Sequence, residues 1–191
     1  MRSGAQNKAS FKDVVLNSAN IKGQISMKGA SFGGTLNADS LQVGGMLIMR
    51  SDGQNKASFK DVILRSANIK GQIDMTGASF GGTLNAYALQ VGGSLFMQSD
   101  AQNKASFKDV DLGGAKITGI ISMNGASFSG TLRAEGLKAG GDLSMDDVYC
   151  INETVMTRKF ASTAGAAACI TIRTSIPPAT LMAVHCPPLW R

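Results

Sequence analysis

Along most of this chain apolar residues come in pairs two positions apart, and glycine, serine, aspartate or asparagine fills most of the corners that follow. The opening pairs are Ala9/Phe11, Val14/Leu16, Ala19/Ile21 and Ile25/Met27, then Ala30/Phe32, Leu36/Ala38, Leu41/Val43 and Leu47/Met49. A spacing of two puts both side chains on one face of an extended segment. The polar and glycine residues between pairs are those that let a chain turn. The pattern therefore predicts short flat sides joined by corners. An amphipathic helix does not fit, because corner chemistry breaks the period of two every five residues or so.

A longer period lies over the short one. Residues 6–14 return as 54–62 and again as 102–110, an offset of 48. Eight short sides per block predict two square coils of four sides each, stacked as an array rather than folded as a globular enzyme. Phe11, Phe32, Phe59, Phe80, Phe107 and Phe128 are separated by 21, 27, 21, 27 and 21 residues. With 21 residues per coil, all six fall on one side of a solenoid. The six extra residues in alternate coils fall around the polar stretches 50–56 and 98–104, which are expected to stack on one corner.

The units Ala-Ser-Phe-Lys-Asp at 9–13 and Ala-Asn-Ile-Lys-Gly at 19–23 resemble the pentapeptide-repeat family. That family's pattern is a small residue, a polar residue, a Leu or Phe centre and two polar residues. The resemblance covers roughly residues 5–146. It implies a right-handed, four-sided β-helix. The six-residue sides at 24–29 and 35–40 depart from the strict five. The fold class expected is thus all-β: a right-handed quadrilateral β-helix solenoid of about six coils, with an irregular C-terminal tail. Residues 1–148 form the array, and 149–191 lie outside the repeat. At about 4.8 Å per coil the rod is roughly 29 Å long.

Charge changes the picture little. The chain carries a net +6. Residues 1–148 hold fifteen Lys/Arg and twelve Asp/Glu, giving +3, and the remaining +3 is in the tail. The mixture is mildly basic, without a nucleic-acid-type concentration. Some members of the family it resembles mimic duplex DNA and protect a topoisomerase from quinolone drugs. That role needs an acidic rod, so the net positive array argues against it. No run of 18 apolar residues is present, so no transmembrane segment is predicted. Residues 1–14 lack the apolar core of a signal peptide, and no disulfide framework is evident; the default expectation is a cytoplasmic protein.

Both ends depart from a capped solenoid. Residues 1–6 align with 49–54 at the same offset of 48, so the array starts inside a repeat. An open first coil presents a strand edge and favours self-association. After Asp147 the repeat pattern stops, and all four prolines, the single His and the single Trp follow. A shifted reading frame, an irregular cap and a functional appendage are the three readings of this tail. Residues 168–173 have the composition of one strand laid over the last coil. A truncated or decayed array without an evolved role is one alternative for the whole chain.

Candidate chemistry is sparse. Cys150, Cys169, His185 and Cys186 have the inventory of a zinc site but not the spacing, and no catalytic residue or cofactor is assigned. The Gly-Gly pairs are corners, since no phosphate-loop pattern accompanies them. Asn152 sits in a glycosylation-type triplet, which means little without secretion. Lys12, Lys60 and Lys108 fall in register, each followed by Asp (Asp13, Asp61, Asp109). They read as a solvated surface, or as a comb of cations facing an anionic polymer or membrane that the aspartates weaken. Parity places Val15 and Ile63 outside on one face and Met46, Ile48 and Phe96 outside on the opposite one. Their equivalents in the third block are Asp111, Asp142 and Ser144. With Arg50, Lys56 and Lys104 on the inserted stretches, these residues form the candidate interaction surface. The functional expectation is a non-enzymatic structural or protein-interaction solenoid, with an unknown protein or a second copy as partner.

Overall fold

The computed structural model describes residues 8–150 and, as backbone, Thr171–Thr174. Among these residues every regular element is a strand, and all strand pairing between coils is parallel. The chain winds as a β-solenoid of about six coils, each with four sides. Side one runs from Ser10–Phe11 through Ser127–Phe128, and side two from Val14–Val15 to Leu132–Arg133. Side three runs from Asn20–Ile21 to Lys138–Ala139, and side four from Ile25–Ser26 to the start of Leu143–Cys150.

The interior follows from the period of two. One residue of each side points in and its neighbour points out, and the inward residues stack on their equivalents in adjacent coils. The six phenylalanines form one continuous stack, with ring centroids 5.0–5.4 Å apart. Phe32, Phe59, Phe80, Phe107 and Phe128 are buried, with at most 2% of their surface exposed. Alanines such as Ala30, Ala57, Ala78 and Ala105 fill the space before each ring. Outside the ladder, Ser31 and Ser58 pair through their hydroxyls at 2.8 Å, as do Ser79 and Ser106.

Corners explain the remaining small residues. Ser18, Ser40, Ser66, Ala88, Gly114 and Gly136 occupy the turn between sides two and three, all with φ between 54° and 69°. Only glycine adopts that region without steric cost, and short polar residues adopt it at modest cost. Between sides three and four, Gly71 donates its N–H to Gly45 at 3.0 Å and Gly93 donates to Gly71 at 3.0 Å. A Cβ on Gly93 would lie 3.0 Å from the backbone of the coil beneath, so the coils could not approach this closely with a side chain there.

Coils alternate in length at the corner between sides one and two. Phe11 and Val14 flank two residues, whereas Phe32 and Leu36 flank three. The register accordingly shifts between Phe32 and Thr35 and between Phe80 and Thr83. The shorter corner lacks one carbonyl, and an aspartate side chain supplies the missing acceptor. Asp13 Oδ1 accepts the Thr35 N–H at 2.8 Å, Asp61 the Thr83 N–H at 3.0 Å and Asp109 the Thr131 N–H at 3.0 Å.

The inserted stretches meet on the corner between sides four and one. Asn103 Nδ2 donates to the Gly53 carbonyl at 2.9 Å, joining the second loop to the first. Each loop is tied at its base by a serine. Ser51 Oγ donates to the Gly77 carbonyl at 2.7 Å and accepts the Ala57 N–H at 3.0 Å. Ser99 does the same with Gly125 at 2.7 Å and Ala105 at 2.9 Å. The sixth coil has no such loop. Asp147, with φ 54°, takes the left-handed corner that Gly29, Gly77 and Gly125 hold in odd coils. Tyr149 and Cys150 then pair with Ser127 and Phe128, so Cys150 stands where the next phenylalanine would be. Thr171–Thr174 pairs parallel with Leu143–Cys150 and extends side four by one strand. Residues 1–6, Asn152, Cys169, His185 and Cys186, singled out in the sequence, lie outside the described residues.

Candidate functional surface

Side four carries four outward apolar residues, Met46, Ile48, Phe96 and Ile120. One column reads Ser26, Ile48, Asp74, Phe96, Ser122 and Ser144, each residue in register with the next. Met46 precedes Ile48 in the same coil, and Ile120 occupies the equivalent position three coils on. Met46, Ile48 and Phe96 are half-buried against their neighbours, and Ile120 is exposed.

Asp74 sits between Ile48 and Phe96 and retains only 9% of its surface, although it points away from the interior. Its Oδ1 accepts the Thr76 N–H at 3.0 Å, and its Oδ2 lies 3.6 Å from the Arg50 guanidinium. Ile48, Arg50, Asp74 and Phe96 therefore make one contiguous patch, with an ion pair flanked by apolar side chains. Sequence parity placed Ile48 and Phe96 on this face. It did not single out Asp74 or Ile120, although the coil lengths of 21 and 27 residues supply the signal that aligns them.

Side two is different. Its outward column is Val15, Asn37, Ile63, Asn85, Asp111 and Arg133. Val15 is 70% exposed and Ile63 is half-buried, and Asn37 lies between them. The two apolar residues belong to alternate coils and do not touch as a pair. Beside this column, at the corner with side three, Arg65 clasps Asp39. Arg65 donates to both Asp39 carboxylate oxygens, at 2.7 and 3.4 Å. The hydrogen bond from Arg65 holds the Asp39 carboxyl below the ordinary aspartate range, against a smaller opposing effect of desolvation. Asp39 in turn raises Arg65. Tyr87, one coil beyond Arg65, is 52% exposed and was not foreseen.

The loop cations are dispersed. Arg50 faces Asp74, Lys56 is half-buried, and Lys104 is exposed on the second loop. Lys28 pairs with Asp52 at 2.7 Å, which anchors the first loop to the first coil. Asp13, Asp61 and Asp109 serve the backbone of the next coil, so their recurrence has a structural cause as well as a charge effect.

Among the described residues no group of three or more His, Cys, Asp or Glu is placed to hold a metal ion. No helix among them is long and apolar enough to cross a membrane. Comparison with protein-family models, with curated proteins and with solved structures finds no match to this chain.

Proposed function

We propose that this chain is a non-enzymatic solenoid of the pentapeptide-repeat type, and that it presents side four to a protein partner. The observation that carries this reading is the cluster of Ile48, Arg50, Asp74 and Phe96, bordered by Met46 and Ile120. Phenylalanine, methionine and arginine are enriched where proteins bind one another, and a desolvated centre with a polar rim is the usual arrangement. Cross-coil hydrogen bonding fixes these side chains on a flat strand face, so little entropy is lost when a partner docks. The inward positions are filled by apolar side chains, which supports a structural or binding role over a catalytic one.

The test combines sedimentation velocity with affinity capture, using wild type, Ile48→Ser/Phe96→Ser on side four and Val15→Ser on side two. The reading expects a defined complex that the side-four variant loses and Val15→Ser keeps. A strict monomer with no retained protein, or a complex indifferent to both variants, contradicts it.

A further inference from the structure

Side three has a chemistry of its own. Its outward column is Asn20, Gln42, Asn68, Gln90, Lys116 and Lys138, in register from coil to coil. All six are exposed. Lys22 and Lys70 stand in the adjoining column, with Gly44 between them. Residues 18–23 and their five equivalents contain these four lysines and no carboxylate. The ion pairs Lys28–Asp52, Arg50–Asp74 and Arg65–Asp39 involve other residues, and none of the four lysines is ion-paired among the described residues. The acids at the two bordering corners are Asp39, which Arg65 occupies, Glu135, and Asp142 toward side four, the last two both beside the last coil's Lys138.

Gly44 shapes the surface between the cations. A Cβ there would collide with the Lys22 carbonyl of the coil beneath, so no side chain fills the space. The result is a surface groove of about 340 Å³, lined chiefly by Asn20, Lys22, Gln42, Gly44, Asn68 and Lys70. It is flanked by two uncompensated ammonium groups and floored by amides that both donate and accept hydrogen bonds.

Charge density selects the occupant. Four lysines are spread over six coils, a length of roughly 24 Å between the first and last strands. Duplex DNA carries one negative charge per about 1.7 Å, far denser than this face can neutralise. The outward columns of side three hold no aromatic ring, and the single exposed ring at its border, Tyr87 on the corner with side two, offers no succession of stacking platforms along a strand. It exposes no large apolar side chain to enter a bilayer. A polymer of moderate negative charge, rich in hydroxyls, is the complement of lysines interleaved with an Asn/Gln column.

We propose that side three binds an extended uronic-acid polysaccharide, whose carboxylates meet Lys22, Lys70, Lys116 and Lys138 and whose hydroxyls meet the amide column. This site is separate from the side-four cluster and does not depend on a protein partner there.

Fluorescence anisotropy of a labelled polygalacturonate oligosaccharide, titrated with the full chain, tests this. A neutral β-linked glucan oligosaccharide, oligo-dT and phosphatidylglycerol vesicles are run alongside. Polygalacturonate is expected to bind, more weakly as salt is raised, and to bind more tightly than the other three. Lys22→Gln/Lys70→Gln is expected to weaken binding about tenfold, as for two exposed charge pairs. Lys116→Gln/Lys138→Gln gives an independent second variant with the same expected direction. Lys12→Gln/Lys60→Gln, at the corner between sides one and two, should leave binding unchanged. Absence of polygalacturonate binding, equal losses in the corner and side-three variants, or tighter binding of oligo-dT or vesicles would overturn the proposal.

Discussion

The Asp61 carboxylate accepts the backbone N–H of Thr83 in the next coil at 3.0 Å, doing the work of a carbonyl that the shorter corner lacks. Asp13 and Asp109 repeat the arrangement with Thr35 and Thr131. Asp61→Ala removes the acceptor and is expected to cost about 1–2 kcal/mol, in the range for a hydrogen bond to a charged group that is partly solvated. Asp61→Asn keeps an oxygen at the same place and should recover most of that loss. Urea denaturation of the three proteins measures the difference, and equal stability of wild type and Asp61→Ala would remove the role assigned to this carboxylate.

Gly82 lies under the same carboxylate, with the Lys60 carbonyl 2.6 Å from where a Cβ would sit. Gly82→Ala forces backbone apart and should destabilise by about 1–3 kcal/mol, the usual cost of overpacking. Its neighbour Gly81 has open space around it, and the third block carries Ser129 at the equivalent position. Gly81→Ser is therefore expected to stay within about 0.5 kcal/mol of wild type. Thermal melts of the two variants give a direct contrast between adjacent glycines.

One serine hydroxyl ties the base of each loop. Ser99→Ala loses both the bond to the Gly125 carbonyl and the bond from the Ala105 N–H. The expected cost is about 2 kcal/mol, from two hydrogen bonds at about 1 kcal/mol each. Hydrogen exchange should show faster labelling confined to residues near 99–105, because each coil contacts only its neighbours. Uniformly faster exchange along the chain would contradict a local anchor.

The Asp39–Arg65 pair predicts a pH effect of definite sign. Because the folded carboxyl titrates below its unfolded value, its contribution is present above the unfolded pKa and is lost as pH falls through the folded one. Carboxyl carbon NMR should find the Asp39 midpoint below the ordinary aspartate range in wild type. Arg65→Gln should return it toward that range, since the Arg65 hydrogen bond is the largest cause of the shift. A midpoint unaffected by Arg65→Gln would assign the shift to another source.

Much of this architecture was legible in the residues because the array repeats itself. The 21 and 27 residue intervals between phenylalanines sufficed to place Phe11 through Phe128 in one stack and residues 50–56 and 98–104 on one corner. Parity identified Ile48 and Phe96 as outward on the same face. Two things stayed hidden for physical reasons. The 48-residue period compares a coil with the second one along, whereas contacts form with the first. Parity puts Val15 and Ile63 outside on one face without showing that Asn37 separates them, and it does not show Asp74 between Ile48 and Phe96. The aspartate after each register lysine looked like surface charge balance. Its structural role depends on a one-residue difference in corner length, which becomes meaningful only when consecutive coils are laid against each other.

The stacking of successive coils at the phenylalanines is the claim on which the rest depends, and ring-proton NOEs measure it most directly. Phe59 and Phe107 are each expected to show strong cross-peaks to Phe80, whose ring centroid lies 5.0 Å from both. No cross-peak is expected between Phe59 and Phe107, which are two coils apart. Cross-peaks from Phe59 directly to Phe107, or none from either ring to Phe80, would contradict a solenoid wound with this register.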